Sequence, residues 1–135
     1  MRECKVCGKN IDGTHKLTLY CSKKCSSEKY KKEYIKINGE PSGLSTGTVG
    51  TINELIVSID LLKKGYSVFR AVSINAECDL AILKDSKLLL VEVTTGCRSN
   101  TNTLIYPSHV KYAHIFDIIA IVERNQKITY IPEFQ

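Results

Sequence analysis

No stretch of this chain approaches the roughly 18 consecutive apolar residues that a membrane-spanning helix needs, so no membrane partner is expected. The start, Met1-Arg2-Glu3-Cys4-Lys5, has no apolar run behind it, which speaks against a secretory leader and for a cytoplasmic protein. No internal repeat is evident. Neither hydrophobic content (43%) nor charged content (24%) departs far from the average of a globular protein, so a core can form and wholesale disorder is not expected. Six cysteines with no export signal point to metal binding or reduced thiols rather than disulfides.

Charge is present in excess but unevenly placed. Residues 1–38 carry ten Lys/Arg (Arg2, Lys5, Lys9, Lys16, Lys23, Lys24, Lys29, Lys31, Lys32, Lys36) against Glu3, Asp12, Glu28 and Glu33. That segment is +6 with neutral thiols, whereas residues 39–135, with nine bases and ten acids, stand at −1. A basic appendage on a neutral body fits a polyanion partner, most often nucleic acid, or else a solubilising tail.

The two pieces are joined by Asn38-Gly39-Glu40-Pro41-Ser42-Gly43-Leu44-Ser45-Thr46-Gly47, whose Gly/Ser/Thr/Pro content reads as a linker. The expected domains are therefore a cysteine module at 1–38, a linker at 39–47 and a second domain at 48–135. In the module, two Cys-bearing turns flank a hairpin, and a lysine-rich helix follows over 26–37 with Tyr30, Tyr34 and Ile37 on one face. The second domain opens with a helix over 49–64, whose apolar stripe is Ile52, Leu55, Ile56, Ile59 and Leu62 and whose stop is Gly65. Strands are expected over 66–73, 79–84, 88–95, 116–123 and 127–131, with a loop over 96–103 and an ambiguous stretch at 108–115. The expected fold is a mixed α/β sheet in the order αβββ(α)ββ. Cys78 and Cys97 stand apart and read as small buried apolar residues.

Cys4-Lys5-Val6-Cys7 and Cys21-Ser22-Lys23-Lys24-Cys25 are separated by thirteen residues. Two close thiolate pairs at such a separation can meet at a tetrahedral ion, and Gly8 frees the backbone to turn amides toward sulfur. Cys4, Cys7, Cys21 and Cys25 are thus the expected ligands of a structural zinc. With four protein sulfurs no coordination position is left for water. The phrase Cys-Lys-Val-Cys-Gly-Lys followed by Leu-Tyr-Cys-Ser-Lys-Lys-Cys looks like a treble-clef zinc finger.

A second constellation is acidic. If the strands flanking Lys84-Asp85-Ser86-Lys87 form an antiparallel hairpin, residues whose numbers sum to 171 face each other, and Asp79 opposes Glu92 on one face. Two like charges so placed destabilise the pairing unless a cation sits between them. Two carboxylates are hard oxygen ligands and suit magnesium or manganese. The plainer alternative is that Asp79 caps its strand in solvent while Glu92 pairs with a lysine.

Helix, strand, then Asp79 followed thirteen residues later by Glu92-Val93-Thr94 resembles the PD-(D/E)XK nuclease superfamily. Gly-Thr-Ile-Asn-Glu-Leu-Ile-Val (50–57), Leu-Leu-Lys-Lys-Gly-Tyr-Ser-Val-Phe-Arg (61–70), Cys-Asp-Leu-Ala-Ile (78–82), Asp-Ile-Ile-Ala-Ile-Val (117–122) and Ile-Thr-Tyr-Ile-Pro-Glu (128–133) are similar to its homing endonuclease and Holliday-junction resolvase branch. The resemblance covers about residues 47–134. It implies a restriction-endonuclease-like core of αβββαβ type, with Asp79, Glu92 and the carbonyl of Val93 on a Mg2+ or Mn2+ ion and Glu54 as an extra acidic residue beside them. One departure weakens it: Thr94 stands where the pattern has lysine, a residue that orients water and stabilises charge on phosphate. Lys87, Arg98, His109 and Lys111 are the candidates to replace it.

The resulting expectation is a metal-dependent DNA endonuclease whose zinc finger helps hold duplex or branched DNA, with a homodimer implied by analogy. The alternatives are a catalytically impaired nuclease fold kept as a DNA-binding or regulatory protein, and a treble clef that contacts a protein.

Overall fold

The computed structural model describes residues 1–111 and 114–133. Its first helix, α1 (Lys23–Asn38), starts a turn ahead of the expected Ser26 because the Ser22 side chain accepts from the Cys25 N–H and caps it. It stops at Gly39, whose φ of 88° is open to glycine at little cost and whose N–H bonds to the Ile35 carbonyl. The hairpin expected between the cysteine pairs is absent among the described residues, and the isolated bridge of this region, Glu3 with Asn10, closes the first Cys-bearing turn instead. Thirteen residues rich in Gly, Lys and Thr offer too little alternation to hold two strands.

The second helix, α2 (Thr46–Lys63), also begins early. Ser45 accepts from the Thr48 N–H, and this cap draws Thr46 and Gly47 out of the expected linker into the helix.

The strands are β1 (Ser67–Arg70), β2 (Leu80–Lys84), β3 (Lys87–Thr95), β4 (Cys97–Arg98), β5 (Leu104–Ile105), β6 (Ile118–Val122) and β7 (Ile128–Ile131), with a one-turn helix α3 (Ser108–Lys111) between β5 and β6. One sheet has the order β1-β2-β3-β6-β7, antiparallel except between β3 and β6, and β4 with β5 forms a small ribbon. The mixed α/β sheet is therefore present. The ribbon occupies part of what was expected to be loop at 96–103, and Tyr112 and Ala113 of the ambiguous stretch lie outside the described residues.

The β2–β3 hairpin turns tightly on Asp85 and Ser86, at φ of 52° and 64°, and pairs Lys84 with Lys87, Leu83 with Leu88 and Leu80 with Val91. Each pair sums to 171, the register that opposes residues 79 and 92.

The core lies between α2 and one face of the sheet: Val57 and Leu61 pack on Leu80, Ile82, Val91, Ile118, Ala120 and Val122. This reverses the expected helix orientation. Ile52, Leu55, Ile59 and Leu62 are exposed and Ile56 is half-buried, while Asn53, Val57, Ser58 and Leu61 are buried. The helix is apolar nearly all round, so periodicity gave two possible inward faces. The sheet selects the one whose Asn53 can donate to the Thr95 hydroxyl (3.1 Å).

Candidate functional site

The first site is the cysteine cluster. Cys4, Cys7, Cys21 and Cys25 bring their sulfurs within 4.8 Å of one another, with Cys7–Cys21 at 3.5 Å and Cys21–Cys25 at 3.6 Å. Zn–S bonds of about 2.3 Å in a tetrahedron put sulfurs roughly 3.8 Å apart, so the donor set and its spacing fit a metal such as zinc. Local backbone explains the convergence. Gly8, at φ 73°, lets its N–H reach back to the Cys4 carbonyl, and the Ser22 cap places Cys25 in the first turn of α1. The Cys7 backbone N–H, aimed at the Cys4 sulfur, brings that thiol down to about 6, whereas the crowding of neighbouring sulfurs raises Cys7 and pushes Cys25 up to about 12, so the cluster favours one thiolate and an ion would have to displace the other protons. Cys4, Ile11 and Cys25 are the buried apolar residues of the module, with Val6, Tyr20 and Cys21 packed partly against them, so its core is small.

The second site lies where β2 and β3 part. Asp79 is the residue before β2, its carbonyl taken by the Ala71 N–H, and Glu92 lies within β3 on the face turned away from α2. In the 171 register Val93 would pair with Cys78, but the ladder ends at Leu80 and Val91. The Asp79 carboxylate takes the vacated place and accepts from the Val93 N–H at 2.8 Å. Each of the two carboxyls perturbs the other directly, which places the Asp79 and Glu92 side chains next to each other. Burial raises the Asp79 carboxyl above its ordinary value. Burial and then the charge of Asp79 push Glu92 up to about 7. Two half-buried carboxyls lying side by side are a donor pair suited to a hard divalent ion.

Glu54 stands farther off, near enough for its charge to raise both carboxyls. Its own carboxylate is held by Arg70 of β1 at 2.7 Å. Arg70 carries little signal of its own in the sequence, because it lies at the end of a strand with no acidic pattern around it. The signal was its place in the hairpin: Arg70 pairs with Leu80, one residue from Asp79.

The residues named to replace the missing lysine fare differently. Lys87 sits at the turn, five residues along β3 from Glu92, or roughly 17 Å. Arg98 is committed elsewhere, to Glu123 at 2.9 and 3.2 Å and to the Asn102 carbonyl at 3.1 Å. His109 and Lys111 are exposed on α3. Thr94 is half-buried on the Glu92 face of β3. Cys78 and Cys97 are half-buried rather than buried, each sitting just outside the packed core at a strand end.

Arg98 instead joins the two parts of the chain. Its backbone N–H donates to Asn38 Oδ1 at 2.6 Å and its carbonyl accepts from Asn38 Nδ2 at 3.1 Å, fixing the end of α1 to β4. Arg124 adds a bond to the Gly39 carbonyl at 2.9 Å and lies 5.0 Å over the Tyr34 ring.

No protein-family model matches the chain, and no curated protein does. Among solved structures it is similar to a bacterial homing endonuclease, I-Ssp6803I, with a TM-score of 0.54 and 23% identity over 64% of each chain. The chain thus matches less than two thirds of that protein's length, and at that identity the likeness is one of fold: the sheet and its helix are built like those of a nuclease.

Proposed function

We propose that the chain is a metal-dependent DNA endonuclease hydrolysing phosphodiester bonds beside Asp79 and Glu92. The observation that carries this reading is the convergence of those two carboxyls at the frayed end of a hairpin, in a sheet folded like that of a homing endonuclease. In this reading residues 48–135 form a PD-(D/E)XK core of restriction-endonuclease-like type, αβββαβ in essence. Residues 1–38 form a Cys4 zinc finger and 39–47 link the two. Asp79, Glu92 and the Val93 carbonyl would hold Mg2+ or Mn2+. A divalent ion there supplies Lewis acidity toward the phosphate and lowers the pKa of water.

The remaining work falls to the chain. The Val93 N–H favours the ionised form of Asp79, and a divalent ion held there would favour the carboxylate of Glu92. Arg70, tethered by Glu54, brings a positive charge to the acidic end of the hairpin, the charge Thr94 lacks. The Thr94 hydroxyl is a donor and acceptor for water on the Glu92 face. The zinc is structural, and the lysines of α1 (Lys23, Lys24, Lys29, Lys31, Lys32, Lys36) meet the DNA backbone. With reduced cysteines the protein acts in the cytoplasm.

Thr94 also favours a second reading, a nuclease fold that binds DNA without cutting it. Purified zinc-loaded protein incubated with supercoiled, linear and branched DNA separates the two. The nuclease reading expects cutting that needs added Mg2+ or Mn2+ and falls at least 100-fold in Asp79→Asn and Glu92→Gln. Salt-sensitive binding with no cutting in any metal would leave the binder.

A further inference from the structure

Helix α1 is held at its two ends and scarcely between them. Its buried residues are Cys25, in the first turn, and Asn38, the last. They stand thirteen positions apart, roughly 20 Å of helix at about 1.5 Å per residue. Tyr30, Lys31 and Lys32 between them are exposed, and the Lys29–Glu33 ion pair at 3.0 Å is solvated and weak. A helix of this length with a solvated middle is marginal alone in water, so the attachments at its ends decide whether it forms. Cys25 ties one end to the sulfur cluster, and Asn38 ties the other to β4.

The Asn38 side chain does the work of a strand. Arg98 pairs with Leu104 across the ribbon, yet its own N–H and carbonyl point away from β5, as alternate residues of an antiparallel pair do. The Asn38 amide takes both, accepting from the N–H at 2.6 Å and donating to the carbonyl at 3.1 Å. Strands of two residues make a ribbon too short to be stable alone, so this third line of hydrogen bonds matters to it. The same Nδ2 donates to the Tyr34 carbonyl at 3.2 Å and closes the end of α1. Arg124, in the turn after β6, adds a strap through the Gly39 carbonyl and the Tyr34 ring.

The ribbon in turn borders the acidic site. It follows β3, which carries Glu92 and Thr94, through the single residue Gly96. A Cβ on Gly96 would lie 3.2 Å from both the Leu104 side chain and the Ile105 carbonyl, so the ribbon sits on the end of β3 without slack. A continuous path of contacts thus runs from the sulfur cluster along α1 to Asn38, the ribbon and the end of β3. The element with two states is α1, and the metal selects between them because the module's own core is small.

We infer that the metal of the cysteine cluster and the β4–β5 ribbon are coupled through α1, with Asn38 as the positioning residue. With metal bound, α1 forms and its last residue orders the ribbon and the strand end next to Thr94. With metal lost, α1 melts and the ribbon loosens, while the five-stranded sheet keeps its own core. Such a coupling is reciprocal, so loosening the clasp weakens metal binding by the factor that metal contributes to the clasp. It rests on metal binding by the four cysteines and holds whether or not the chain cuts DNA.

Amide hydrogen exchange of the full-length chain, loaded with Zn2+ and then stripped by a chelator, reads the coupling in one direction. Loss of Zn2+ should speed exchange of the ribbon amides, Cys97 to Ile105, by about ten-fold or more and leave β2 and β6 protected. Zn2+ affinity, measured by competition with a chromophoric chelator, reads it in the other. Asn38→Leu keeps the volume and deletes the amide, and it should weaken Zn2+ by about five-fold or more. Arg124→Met should weaken Zn2+ by about two-fold or more from the sheet side, where no change in the helix propensity of α1 is involved. It also carries the test should Asn38→Leu misfold. Ribbon exchange indifferent to Zn2+, unchanged Zn2+ affinity in the folded variants, or a chain that binds no Zn2+ would each overturn the proposal.

Discussion

Two half-buried carboxyls in contact make Glu92 the most pH-sensitive side chain of the nuclease-like domain. Its pKa of about 7 in the folded chain exceeds its ordinary 4.5, so the folded state holds the proton more tightly than the unfolded chain does. The stability this proton contributes is greatest below about 4.5 and is lost as pH rises through about 7. Urea unfolding of zinc-loaded protein without Mg2+ should therefore show stability falling over that window. Glu92→Gln should flatten the fall, and millimolar Mg2+ or Mn2+ should oppose it by favouring the carboxylate. A second prediction concerns the turn. Ser86 occupies a left-handed conformation at φ 64° that costs a residue with a side chain about 1 kcal/mol, so Ser86→Gly should raise stability by roughly that amount. Gly96 predicts the opposite. A Cβ there would lie 2.4 Å from Ile121 Cγ2, and Ile121 is fully buried. Gly96→Ala should cost about 1–3 kcal/mol by chemical denaturation, the usual range for overpacking.

Between elements, one ion pair carries much of the organisation. Glu123 follows β6 and is buried, and its partner Arg98 lies in β4, where it also binds Asn38 at the end of α1. Three elements thus meet on one guanidinium and its own backbone. Removing Arg98 alone leaves a buried carboxylate without its counter-charge, so Arg98→Met should lower the midpoint of a urea titration. The double variant Arg98→Met with Glu123→Leu should recover most of that loss, because the desolvation of both charges disappears together. A single variant within about 0.5 kcal/mol of the wild type would show the pair to be solvated in practice.

At the scale of the molecule, a module with three buried apolar residues is joined to a sheet with a core of its own. Metal removal should separate the two. A strong chelator should abolish the α1 contribution to the far-ultraviolet circular dichroism and leave the sheet folded, since the module's core is largely its own cysteines. Unchanged spectra after verified loss of metal would count against a structural ion.

Much of this was legible in the chain itself. The spacing of Cys4, Cys7, Cys21 and Cys25 announced a tetrahedral donor set because ligand geometry is local, set by two short turns. The register bringing Asp79 opposite Glu92 followed from an even-length turn, also a local matter. What the chain could not decide was orientation. Helix α2 is apolar on two opposite faces, and only the sheet, by burying Val57 and Leu61 and offering Thr95 to Asn53, determines which is inside. Likewise Arg98 and Arg70 look alike as residues. Their partners Glu123 and Glu54 are brought to them by strand order across the sheet, a long-range consequence of packing that no window of sequence contains.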